Sequence, residues 1–133
     1  MEPYRHKVQV YETDNMGITH HSNYVRFMEE ARVDLMERLG FGYDKVVEQG
    51  VSSPVMAISC EFKKPTTYPD IIDIEVVVLE RSTLKLKFGY TMKVDGKIVF
   101  KGESLHCFLD SNGRPVAYAE RFPEISQAFA NLK

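Results

Sequence analysis

Apolar and polar side chains alternate over residues 83–94. Leu84, Leu86, Phe88, Tyr90, Met92 and Val94 fall on one side and mainly polar residues on the other. That period of two predicts a strand with one buried face and one wetter face. "SPVMAISCEFKK" (53–64), "IIDIEVVVLE" (71–80) and "KIVFKGESLHCFLD" (97–110) read as further strands. Asp95-Gly96 is a two-residue hairpin signal that makes the last two strands antiparallel neighbours. Gly102, inside the last of them, predicts a bulge or bend. Near the start, "HKVQVYE" (6–12) alternates weakly, with Val8 and Val10 on one face, and predicts a first strand.

Between that strand and the others the period changes. Tyr24, Phe27, Met28, Ala31, Leu35 and Leu39 recur at three- and four-residue steps, the pattern of an amphipathic helix. Val25, Val33 and Met36 broaden its apolar stripe, which predicts cover on more than one side. Ser22 or Asn23 can cap its start, and Gly40 can end it in a left-handed conformation. "FGYDKVVEQG" predicts a short helical turn, and "PEISQAFANL" a terminal helix. The order is strand, long helix, then four antiparallel strands, an α+β architecture in which about five strands curl around a helix. Val77 and Leu79 leave the other sheet face partly apolar, which predicts at least a dimer.

Composition narrows the classes. A chain of 133 residues suits one domain, spanning 1–133. Apolar residues make up 44% and charged residues 27%, which excludes a disordered chain. A formal net charge of −2 with no basic block argues against nucleic acid as a partner. The N-terminal stretch has no long apolar run, so no membrane span is expected. Cys60 and Cys107 form no CxxC pattern and read as reduced, buried thiols of a cytoplasmic protein.

The candidate chemistry lies in "ETDNMGITHHSNY" (12–24). Asp14 sits in a loop with Gly17, and His20-His21 lead into the helix start. An Asp before a helix can be a plain loop acceptor or a reactive carboxylate. Asp14, His20, His21 and Glu30 lack any HxxH, HExxH or cysteine-based spacing, so no metal and no cofactor is expected. His6 and His106 fall in strands and read as packing residues. Glu29, Glu30 and Arg32 read as an exposed or interfacial charge set on the helix.

"YETDNMGITHHSNYVRFMEEAR" resembles the signature of 4-hydroxybenzoyl-CoA thioesterase-like proteins of the hotdog superfamily. It is most similar to the acyl-CoA thioesterase branch that includes Tol–Pal-associated enzymes. Tyr11, Glu12, Thr13, Asp14, Gly17, His20, His21, Ser22, Asn23 and Tyr24 fill the signature. "FKKPTTYPDIIDIEV" and "GESLHCFLDSNGRPV" match later elements. Thr19 departs where the family more often has Val or Ile, and His20 where an aromatic often stands. The resemblance implies a helix wrapped by an antiparallel sheet, dimers that often pair into tetramers, and an active site at the dimer interface. It implies that Asp14 is the catalytic carboxylate and that the backbone amide near His21 faces a thioester carbonyl.

The residues suit that chemistry. Asp14 can attack a thioester directly or act as base on water. The first amides of the helix are unpaired and partly positive, and one aimed at an oxyanion is worth roughly 2.7–4 kcal/mol. The His21 side chain can orient Asp14 or protonate the leaving thiolate. Gly17 leaves room beside the thioester, and Asn23 either caps or touches substrate. Met16, Ile18, Val55, Met56 and Ile58 are candidate acyl-pocket walls. Lys63, Lys64, Lys85 and Lys87 are candidates for the coenzyme A phosphates. The leading expectation is hydrolysis of an acyl-CoA or acyl-carrier-protein thioester. The competing readings are a hotdog hydratase or dehydratase, whose Asn-Pro run before the His is absent here, and a non-catalytic acyl- or CoA-binding module.

Overall fold

A computed structural model describes residues 2–132. Strand β1 (Tyr4–Lys7) leads through a 3-10 turn (Val10–Glu12) and a loop to helix α1 (Asn23–Arg38). A short helix α2 (Tyr43–Glu48) follows. Next come strands β2 (Val55–Phe62), β3 (Ile71–Arg81), β4 (Lys85–Val94) and β5 (Lys97–Cys107). Helices α3 (Tyr118–Arg121) and α4 (Pro123–Ala130) complete the described chain. The five strands form one sheet in the order β1-β3-β4-β5-β2, and every pairing is antiparallel. The α+β reading is borne out.

The alternation along β4 sets the core. Leu86, Phe88, Tyr90 and Met92 are buried, and Leu84 falls just before the strand and is exposed. Asp95 and Gly96 both adopt positive φ, 51° and 79°, as a tight hairpin with matching twist requires. Helix α1 buries Tyr24, Phe27, Met28, Ala31 and Leu35. Tyr24 lies flat on Phe100 of β5, with ring centroids 5.0 Å apart. Gly40 ends the helix region with φ of 84°.

Several expectations need correction. The first strand stops at Lys7, because the Glu12 carboxylate takes the Gln9 amide at 2.7 Å and folds 10–12 into a turn. Val8 is fully buried whereas Val10 is exposed. Gly102 is not a bulge; it pairs in register with both Cys60 and Tyr90. A Cβ there would stand 2.7 Å from the Phe100 ring and 2.9 Å from Met28 Sδ, so the glycine lets α1 lie close on β5. The register shift between β4 and β5 falls instead at Val99. The Val99 carbonyl accepts the Lys63 and Lys64 amides. Neither Ser22 nor Asn23 caps α1 through its side chain: the Ser22 hydroxyl meets His20 Nδ1 and the Asn23 amide reaches Glu12. Cys60 and Cys107 are unpaired and half-buried rather than buried.

The sheet covers one side of α1 only. Of the residues that broaden the helical stripe, Val25 is exposed, whereas Val33 and Met36 are half-buried and Met36 packs against the core. Strand β2 has a free edge, and along it Val55, Met56, Ile58 and Phe62 are exposed. Val77 and Leu79 are exposed on the outer sheet face. No described helix is long and apolar enough to cross a membrane.

A polar chain runs beneath α1. Arg32 donates to the Tyr90 hydroxyl at 3.0 Å, which meets Ser104 Oγ at 2.6 Å, and Ser104 meets His106 Nε2 at 2.7 Å. Arg32 is therefore tied into the interior rather than belonging to a surface charge set. Burial, aided by the Arg32 charge, pushes the His106 imidazole down from 6.5 to about 4, although a bond with the Ser53 backbone favours the charged ring.

Two outcomes are expected. The folded state holds His106 neutral while the unfolded chain protonates it below its ordinary value. This contribution is therefore complete above pH 6.5 and is lost as pH falls toward 4. The loss is on the order of 3 kcal/mol, and His106→Gln should flatten it in urea unfolding followed across that range. Gly102→Val should lower stability by about 1–3 kcal/mol in the same measurement at neutral pH, because Phe100 and Met28 must give way.

Candidate active site

The loop 13–19 is closed at its stem by a Thr13–Thr19 bridge. Inside it the Asp14 amide donates to the Ile18 carbonyl at 2.8 Å, and the Gly17 amide returns to the Asp14 carbonyl at 3.0 Å. This tight turn needs Gly17 at φ of 82°, which a side chain would strain. The Asp14 carboxylate is pinned on one side, where Oδ1 accepts the Met16 amide at 2.8 Å. Among the described residues Oδ2 has no hydrogen-bond partner. The carboxylate is oriented, with one oxygen unpartnered.

The loop is anchored at both ends. Thr19 is buried, its amide donates to the Thr66 carbonyl at 2.8 Å, and its hydroxyl meets Thr66 Oγ1 at 2.6 Å. The Tyr24 hydroxyl reaches the same Thr66 oxygen at 2.9 Å. The departure from Val or Ile at position 19 thus has a physical reason: its hydroxyl finds a buried partner. From the next loop, Thr67 donates to the Gly17 carbonyl at 2.6 Å. At the other end the Glu12 carbonyl accepts the His20 amide and the Asn23 side chain, each at 2.8 Å.

Asp14, His20 and Asn23 line one open cleft of about 550 Å³, with His6, Tyr11, Glu12, Arg26 and Glu30 among its other walls. His20 and His21 stack at 4.3 Å, and His21 also meets the edge of Phe62 at 6.3 Å. His21, Gly17 and Ile18 do not line the cleft. The Asn23 backbone amide donates to the His20 carbonyl at 3.0 Å and the Tyr24 amide to the His21 carbonyl at 3.2 Å, whereas among the described residues the His21 amide donates to nothing. Lys63 and Lys64 lie just beyond β2, outside the cleft, and Lys63 pairs with Glu61 at 2.7 Å. Lys87 is held by Glu103 at 3.1 Å. Met56 and Ile58 sit on the open β2 edge, away from these cleft walls. No group of three or more His, Cys, Asp or Glu among the described residues is arranged to hold a metal ion.

Two participants escape a reading of the residue letters. Thr66 has no neighbouring signal except the unusual polar residue at 19, which demands a partner. His6 reads as strand packing, yet its Nε2 lies 2.8 Å from Glu12 Oε1. The clue is Glu12 itself, an acid in the signature two residues before Asp14.

Residues 8–131 match the family model described as the thioesterase-like superfamily. A provisional esterase of Aquifex aeolicus is 36% identical over 122 residues, covering 92% of this chain and 94% of its own. YneP of Bacillus subtilis, whose name gives it as a provisional acyl-CoA thioesterase, is 32% identical over 129 residues, 96% of this chain and 94% of its own. The structure of a DHNA-CoA thioesterase from Staphylococcus aureus superposes with a TM-score of 0.91 at 26% identity, covering 98% of this chain and 89% of that one. These names speak of esters and CoA thioesters and not of a Tol–Pal association. The chain belongs to the thioesterase-like superfamily and has its hotdog fold.

Proposed function

We propose that this protein hydrolyses the thioester of an acyl-CoA to the free acid and the thiol, with Asp14 as the catalytic carboxylate. The observation that carries the reading is the oriented Asp14 carboxylate with Oδ2 unpartnered, one loop away from an unpaired His21 amide at the start of α1. Asp14 either takes a proton from water as that water attacks the carbonyl carbon, or attacks the carbon itself to give an anhydride that water opens. In both routes the C–S bond breaks and the coenzyme A thiolate leaves. The His21 amide donates to the carbonyl oxygen as it becomes an oxyanion. The stacked His20-His21 pair shapes this end of the site, and Gly17 and Ile18 hold the loop that presents Asp14. An acyl-carrier-protein thioester offers the same reacting group.

The active unit is a single-domain protein that works as a dimer or tetramer of this chain, with the acyl group held at the interface. The open β2 edge and the exposed Val25, Val77 and Leu79 support this. Lys63 and Lys64 are the cations we assign to the CoA phosphates. The unpaired Cys60 and Cys107 fit a reducing cytoplasmic setting.

Two measurements test the reading. Wild-type protein incubated with a panel of aliphatic and aryl acyl-CoAs should release free thiol from at least one. Asp14→Asn should lower kcat by about 100-fold or more. Release from none sinks the thioesterase reading, equal rates sink the role of Asp14, and water addition to an enoyl-CoA without thiol release points to a hydratase. Sedimentation at micromolar concentration should show a dimer or larger; a folded monomer contradicts the interface site.

A further inference from the structure

Glu12 lies two residues before Asp14 and is buried, its side chain only 8% exposed. A carboxylate so placed costs folding energy unless its charge is met by donors. Gln9 gives a backbone amide at 2.7 Å, and His6 Nε2 sits 2.8 Å and 3.1 Å from the two carboxylate oxygens. The backbone carbonyl of the same residue accepts the His20 amide and the Asn23 side chain. One residue therefore joins β1, the turn, the returning arm of the Asp14 loop and the first residue of α1.

His6 is itself held on both sides. Its ring packs on Phe27 of α1 with centroids 4.1 Å apart, and its Nδ1 lies 3.5 Å from Glu30 Oε1. Glu30 in turn accepts the Tyr4 hydroxyl at 3.0 Å. The chain Tyr4–Glu30–His6–Glu12 ties strand and helix to the loop stem. Although His6, Glu12 and Glu30 form part of the cleft wall, the Glu12 carboxylate is already occupied by its donors. It is badly suited to take a proton from a substrate and well suited to fix a backbone.

We propose that the pair formed by half-buried His6 and buried Glu12 is the positioning element of this site, setting the Asp14 carboxylate against the free amide just before α1. This rests on Asp14 being the catalytic carboxylate. Two groups that must meet one reacting carbon from different elements need a common brace, and a displacement near 1 Å is enough to cost about 100-fold in rate. Glu12 is the residue that touches both elements. Both side chains stand in the cleft wall, but their polar atoms are turned on one another and on the loop stem, so the pair acts mainly on kcat.

Three variants test this beside Asp14→Asn. His6→Phe keeps the ring on Phe27 and removes the donor. Glu12→Gln keeps the shape and removes the charge. His6→Gln restores an N–H toward Glu12. The first two should lower kcat between about 10-fold and 100-fold with KM within about 3-fold, and His6→Gln should recover most of the loss. Unchanged kcat in folded His6→Phe and Glu12→Gln overturns the proposal while leaving the thioesterase reading standing. So does a loss that only tracks melting temperature and is not recovered by His6→Gln. Full activity in Asp14→Asn instead removes the reading on which the proposal rests.

Discussion

Everything at the candidate site depends on how closely α1 lies on β5. Gly102 offers no side chain, so Met28 and the Phe100 ring fill the space a Cβ would need. Tyr24 then lies flat on Phe100 and passes its hydroxyl to Thr66. The first turn of the helix is thus fixed in two directions, by ring stacking and by a buried hydrogen bond. The free His21 amide just before that turn inherits the precision. A preorganised donor is useful only when it needs no rearrangement at the moment charge develops. Core packing and the geometry of the candidate site are here the same constraint seen from opposite ends of Tyr24.

The periodic elements were readable because side-chain burial imposes their period. β4 and α1 each repeat over ten or more residues, and the structure returns their buried faces almost residue for residue. Asp95-Gly96 was readable because few residue pairs adopt positive φ in succession. The failures share a different cause. Val10 leaves the first strand because of one side-chain-to-backbone bond, from the Gln9 amide to Glu12, and such a bond has no period to announce it. Gly102 is an ambiguous letter: a bulge and a close helix approach both ask for a missing side chain, and only the position of Met28 decides between them.

At the site, Asp14 and the helix start were legible as a signature, since both lie within one short segment. The brace behind them was not. His6 with Glu12, and Thr19 with Thr66, are pairs that close over loops, and the second spans 47 residues. A sequence displays neighbours along the chain, whereas a buried polar group is satisfied by neighbours in space. Thr19 shows how such a partner betrays itself. A polar residue in a buried place expected to be apolar carries a debt that something elsewhere must settle.

The two edges of the sheet are unequal. β1 is four residues long and ends where the turn begins, while β2 runs for eight, and from Val55 to Cys60 it bears no charge and no proline. Natural edges are usually guarded by one or the other. Two kinds of pairing are open to such an edge. Pairing β2 with an identical edge under twofold symmetry closes the assembly and ends growth. Pairing it in any open-ended register propagates toward fibrous aggregates. For an exposed edge of this kind the register of any strand pairing, and not only its strength, decides between a closed assembly and an open-ended one.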